Sequence, residues 1–96
     1  LFRSGWDNTT TCIARLDEHG DDRLDAVQHV PVEPGTVYRM AAVRTDHRLR
    51  WFINEREVLV LNDQQPLTGE GHDRFAFNDW VAPVRFDQFR IYDLGQ

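Results

Sequence analysis

Apolar side chains recur along this chain at every second position, and the three-to-four-residue spacing of an amphipathic helix is nearly absent. The pattern predicts strands over residues 10–16, 23–30, 36–45, 48–53, 57–61, 74–78 and 84–93. In the first, Cys12, Ala14 and Leu16 share a face. In the second, Leu24, Ala26 and Val30 do so. Residues 36–45 are apolar on both faces (Val37, Ala41 and Val43 against Tyr38, Met40 and Ala42), which predicts a central strand covered on two sides. Residues 48–53 alternate cleanly, with Leu49, Trp51 and Ile53 inward and Arg48, Arg50 and Phe52 outward. Phe75 and Phe77 read as inward in the next-to-last strand. In the last, Val84 and Phe86 keep one phase and Phe89 and Ile91 another, so an extra residue near Asp87-Gln88 predicts a β-bulge.

Turn residues separate these runs. Asp17-Glu18-His19-Gly20-Asp21-Asp22 is a polar cluster with a glycine free to take positive φ, the mark of a hairpin turn. Pro34-Gly35 predicts a tight turn, Pro34 presetting φ and Gly35 accepting a positive value. Asp46-His47 supplies another turn, and Asn54-Glu55-Arg56 closes a hairpin. Pro66, Gly69 and Gly71 mark a longer loop over residues 62–73. About seven short strands without a helix predict an all-β fold, an antiparallel β-sandwich. Ninety-six residues suit a single domain spanning 1–96, with no interior linker or repeat.

Composition narrows what such a domain can do. Hydrophobic residues make up 41% and charged residues 28%, ordinary values for a globular chain. The net charge of −5 argues against a nucleic-acid partner, whose binding proteins are normally basic. It also disfavours an anionic membrane surface. No apolar stretch approaches the roughly 20 residues that span a bilayer, so membrane insertion is not expected. Cys12 is the single cysteine, which excludes an internal disulfide and any zinc site of several thiolates. Its position in an alternating run reads as a small buried apolar group. The first residue is Leu1 rather than methionine, which suggests excision from a longer precursor.

The order of features in the second half is recognisable. Tyr38-Arg39-Met40 is followed by Leu49-Arg50-Trp51-Phe52-Ile53-Asn54, a hairpin and Val58-Leu59-Val60. Asp63 and Pro66-Leu67 come next, then Phe75-Ala76-Phe77-Asn78-Asp79-Trp80, and last Val84-Arg85-Phe86-Asp87-Gln88-Phe89-Arg90-Ile91-Tyr92. Over residues 36–94 this resembles the C-terminal half of concanavalin A-like lectin/glucanase domains, including laminin G-like jelly rolls of bacterial carbohydrate-associated proteins. Asn54-Glu55 stands where that family usually has aspartate-glycine, and Gln88 where it has asparagine. The resemblance implies a jelly roll, minimal or partial, with this chain as the C-terminal portion. It also implies an extracellular or periplasmic setting. A partial sandwich would expose sheet edges, an invitation to homodimer formation.

The family's glucanases set two carboxylates about 5–5.5 Å apart for retaining hydrolysis, and their glutamate-x-aspartate-x-x-glutamate run is absent here. No complete catalytic constellation is visible. Asp17, Glu18 and Asp21 offer hard oxygen ligands suited to calcium, but lie in a turn without EF-hand spacing, and a solvated turn is the simpler reading. No cofactor is implied. His19, His29, His47 and His72 are scattered without metal-ligand spacing. Asn8-Thr9-Thr10 is a glycosylation acceptor pattern, meaningful in a eukaryotic secreted context.

Aromatic residues are the better lead, because sugar faces stack on rings while a few polar groups hold the hydroxyls. Asn78, Asp79 and Trp80 follow a strand end, where loops carry function. Arg50 and Phe52, with Arg48, form an alternative platform on the outward face. The corresponding bland readings are a tryptophan packed on the sandwich edge and a face covered by other strands. The resulting expectation is a non-catalytic carbohydrate-binding or accessory module for an oligo- or polysaccharide. The alternatives are the C-terminal part of a glycoside-active enzyme with its carboxylates elsewhere, and a structural sandwich for protein contacts.

Overall fold

The computed structural model describes residues 2–6, 10–13, 32–77, 79 and 83–94. Among these, all regular secondary structure is strand and no helix occurs. The chain is all-β in this sense. Five strands follow in order: β1 (Phe2–Trp6), β2 (Thr10–Ile13), β3 (Met40–Arg44), β4 (Arg48–Ile53) and β5 (Arg56–Asn62). β1 and β2 pair antiparallel, and β3-β4-β5 form a three-stranded antiparallel sheet with β4 in the middle. The strand expected over residues 23–30 and the turn at Asp17–Asp22 lie outside the described residues, as do Ala14 and Leu16.

The alternation in β4 sorts its side chains as expected. Trp51 and Ile53 are buried and Leu49 is half-buried, while Arg48 is exposed on the opposite face. Ile13 of β2 joins Trp51, Ile53 and Leu59 in one buried cluster, with Tyr38, Leu49, Val58 and Leu61 packed against it. Apolar side chains from two separately paired sheets therefore share a core. Each such chain buried whole contributes about 1.5–3 kcal/mol. Cys12 is buried, as its position predicted. Thr11 and Ile13 are buried with it, so both faces of β2 are covered and alternation there does not mark a solvent side. β1 was not anticipated. Its pairing slips by one residue between Arg3 and Trp6, which breaks the period of two on which a sequence reading depends.

The turns around the sheet follow from their residues. Gly35 takes φ 76°, and Thr36 N donates to Glu33 O at 3.3 Å, completing a type II turn on Pro34-Gly35. Thr45 N donates to Arg48 O at 3.0 Å across Asp46-His47, joining β3 to β4. Asn54 and Glu55 both have positive φ, 51° and 66°, and Ile53 pairs with Arg56. The β4–β5 connection is thus a two-residue type I′ turn, whose twist matches that of the strands it joins. Asn54 also ties in the segment before β3: its backbone N donates to Arg39 O at 2.7 Å, and Arg39 N donates to its Oδ1 at 2.9 Å.

Three expectations are corrected. Among the described residues, 36–45 do not form a central strand: β3 covers only Met40–Arg44 and has β4 alone as its neighbour there. Met40, Ala41 and Ala42 are exposed, and Val37 is 91% exposed. Short alanines satisfy a two-sided apolar pattern without burying much surface, which is why the pattern misled. Residues 74–77 and 84–93 are not strands in the described chain. Parity makes a segment suitable for a sheet, but a strand also needs a hydrogen-bonded neighbour. Finally, there is no β-bulge at Asp87-Gln88, because there is no ladder to interrupt. The bulge falls in β5 instead. Phe52 pairs with Glu57 and Trp51 with Leu59, leaving Val58 as the extra residue.

The chain divides into two compact units, Leu1–Gln65, which holds the sheets, and Pro66–Gln96. In the second, Phe75 stacks on Phe89 with centroids 4.8 Å apart, and Phe77 on Phe86 at 4.2 Å. Phe77 also meets Phe75 and Phe89 edge-on, each at 5.1 Å. The pairs run antiparallel, with one more residue between Phe86 and Phe89 than between Phe75 and Phe77. Gln88 absorbs the surplus at φ 53°. The rings remain open to solvent: Phe75 is 56% exposed and Phe77 46%, rather than inward as expected.

Candidate functional site

Of the residues singled out as ligand-binding, Arg50 and Phe52 are brought together. They stand two apart on β4 and so share its outward face. The Arg50 guanidinium lies over the Phe52 ring, its carbon 4.9 Å from the centroid. A cation in that position is attracted by the ring's negative face, by about 0.5–1 kcal/mol where water has access. Cross-strand pairing adds a third residue. Glu57 sits opposite Phe52, and its Oε2 accepts from Arg50 Nε at 2.8 Å and from Arg50 Nη2. Ring, guanidinium and carboxylate form one unit on the surface of the sheet.

This unit has an apolar surround. Val43 of β3 and Val60 of β5 are the direct neighbours of Arg50 across the sheet, and both are half-buried. The side chains of Arg50 and Glu57 keep 39% and 31% of their surface exposed. A carboxylate and a guanidinium on one face supply hydrogen-bond acceptors and donors beside apolar neighbours. Arg48 extends the same face by one alternate position, opposite Asn62, and both are exposed.

Glu57 was missed by the sequence reading. A three-residue loop, Asn54-Glu55-Arg56, hides the pairing, whereas a two-residue I′ turn places Glu57 directly across from Phe52. The asparagine at position 54 is the available signal, since it favours the left-handed region that this turn demands.

Asp79 is exposed and belongs to the Pro66–Gln96 unit, while Asn78 and Trp80 lie outside the described residues. Asp17, Glu18 and Asp21, the calcium candidates, also lie outside them. Among the described residues no group of three or more histidine, cysteine, aspartate or glutamate side chains could hold a metal ion. No helix among them is long and apolar enough to cross a membrane. Val37, Arg39, Asn54 and Glu55 line a shallow open depression of about 240 Å³. That is below the roughly 300–1,000 Å³ of small-molecule pockets, and Arg39 and Glu55 pair across it at 2.9 Å.

Comparison with protein-family models, with curated proteins and with solved structures finds no match for this chain. What the outward face of β4 and β5 does must be read from its own chemistry.

Asp63 marks a second local feature, a structural one. Its backbone N donates to His47 O at 2.6 Å, and its Oδ1 accepts from Gln65 N at 2.9 Å. His47 Nδ1 lies 3.3 Å from Asp63 O. These bonds carry the β4–β5 pairing one step beyond Arg48 and Asn62 and turn the chain out of the sheet. The carboxylate there replaces backbone partners that the ended ladder no longer supplies.

Proposed function

We propose that this chain is a non-catalytic carbohydrate-binding module whose sugar platform is the outward face of β4 and β5, built on Arg50, Phe52 and Glu57. The observation that carries the reading is the guanidinium held over the Phe52 ring and tied to Glu57. A sugar ring offers hydroxyls that both donate and accept, together with C–H faces of low polarity. The Glu57 carboxylate suits a hydroxyl proton, the Arg50 donors suit a hydroxyl oxygen, and Val43, Val60 and the Phe52 ring suit the C–H face. The ion pair also holds the guanidinium in place, so little side-chain entropy is lost when a ligand arrives.

The same reading takes the three-stranded sheet as one layer of a jelly-roll sandwich. Support comes from the shared core, in which Ile13 of the separately paired β2 packs with Trp51, Ile53 and Leu59. A carbohydrate module of this kind would serve an exported protein. The test is binding to an immobilised glycan panel, compared with Arg50→Ala and Phe52→Ala. Both variants are expected to lower binding at least tenfold while the far-ultraviolet circular dichroism stays that of the parent, each removing interactions worth about 1.4 kcal/mol or more. A panel with no bound glycan overturns the proposal.

A further inference from the structure

We infer that the ligand of this platform is an acidic glycan, one whose sugars carry carboxylates. The inference rests on the carbohydrate reading of the same face and adds the ligand's charge. Three charged side chains stand on that face among the described residues: Arg48, Arg50 and Glu57. Arg50 and Glu57 neutralise each other through the bonds from Nε and Nη2 to Oε2. Arg48 has no ion-pair partner among the described residues and is exposed, two positions along the strand and therefore about 6.6 Å away. The described residues of the face thus carry one net positive charge, on a chain whose total is −5. An uncharged ligand gains nothing from that charge, and a carboxylate does.

The two arginines have different tasks in this arrangement. The fork of Arg50 is already committed to Glu57, so Arg50 is left to meet hydroxyls. The fork of Arg48 is open, and its planar geometry matches a carboxylate with two parallel N–H···O bonds. A sugar seated between them would place its ring over Val60, its hydroxyls at Arg50 and Glu57, and its carboxylate at Arg48. Asn62, opposite Arg48, adds an amide that can donate to the same carboxylate or to a neighbouring hydroxyl.

Polygalacturonate and the same polymer with its carboxyls methyl-esterified provide the probes, since they differ in charge and not in backbone. The whole chain is expected to bind polygalacturonate about tenfold more tightly than the ester, the effect of one charge-assisted contact. Arg48→Gln should abolish that difference. Arg50→Ala should weaken both. Equal affinity of the parent for the two polymers overturns the acidic-glycan inference and leaves the carbohydrate reading standing. A preference for polygalacturonate that survives Arg48→Gln also overturns it, by moving the charge recognition off this face. Failure to bind either polymer or any glycan of the panel overturns both. A sulfated neutral-backbone polysaccharide distinguishes the anions: binding equal to polygalacturonate overturns the assignment of a carboxylate.

Discussion

Glu55 occupies a backbone position made for glycine. At φ 66° its Cβ crowds the following carbonyl, a strain that a type I′ turn relieves with glycine at this place. What glutamate returns is an ion pair with Arg39 at 2.9 Å, between side chains that are 79% and 77% exposed. Such a pair contributes about a few tenths of a kcal/mol in water. Glu55→Gly is therefore expected to stabilise the chain by about 0.5–1 kcal/mol, after allowing for glycine's greater freedom when unfolded. The urea midpoint should rise without a change in slope; a fall would mean that the Arg39 pair outweighs the strain. Asn54 is a different case. Its side chain bonds Arg39 N, and asparagine tolerates the left-handed region, so position 54 has no similar gain to offer.

The β-bulge is the feature of the strands with the sharpest consequence. Val58 is the residue without a counterpart on β4, and every pair on either side of it is in step. Deleting Val58 keeps Glu57 across from Phe52 and Leu59 across from Trp51, so both faces of β5 survive. The expected loss is that of one half-buried valine, about 1–2 kcal/mol. Deleting Val60 is harsher, because either Leu59 or Leu61 must then turn to the outward face. That should lower stability by a further margin of about 2 kcal/mol or more. Comparison of the two deletions by chemical denaturation checks the register: equal losses would show that the bulge lies elsewhere. The platform depends on the same feature, since the bulge lets Glu57 and Val60 share a face although they are three residues apart.

For the molecule as a whole, Cys12 is a built-in probe. It is the single thiol in the chain and fully buried in β2, beside the Ile13 that reaches the common core. A thiol reagent can reach it when that core opens and not before. Reaction with an aromatic disulfide reagent should be slow in buffer and accelerate with urea in parallel with the loss of tryptophan fluorescence. Rapid stoichiometric reaction of the native chain would show that the layer over Trp51, Ile53 and Leu59 is not closed. Charge belongs to this scale too. A chain of net charge −5 repels polyanions at long range, so the exposed charge of Arg48 acts at contact distance and is weakened by salt.

Alternation and turn residues were enough to determine the all-β character of the described residues, the turns at Pro34-Gly35 and Asp46-His47, the inward set Leu49, Trp51 and Ile53, and the common face of Arg50 and Phe52. Each of these depends on neighbours one to three residues apart, where backbone geometry leaves few choices. Which strand is central, where the extra residue sits and which carboxylate meets Arg50 depend on partners distant in the chain. Residues 36–45 look two-sided because alanine is apolar, yet only hydrogen bonding to β4 reveals that β3 has neighbours on one side among the described residues. Residues 74–77 and 84–93 carry strand-like parity, yet their phenylalanines pack on one another without a ladder. Glu57 entered the site through a turn one residue shorter than its sequence suggests. Side-chain parity is a local property of an extended chain, whereas pairing is a choice among segments, and only the folded structure records which choice was made.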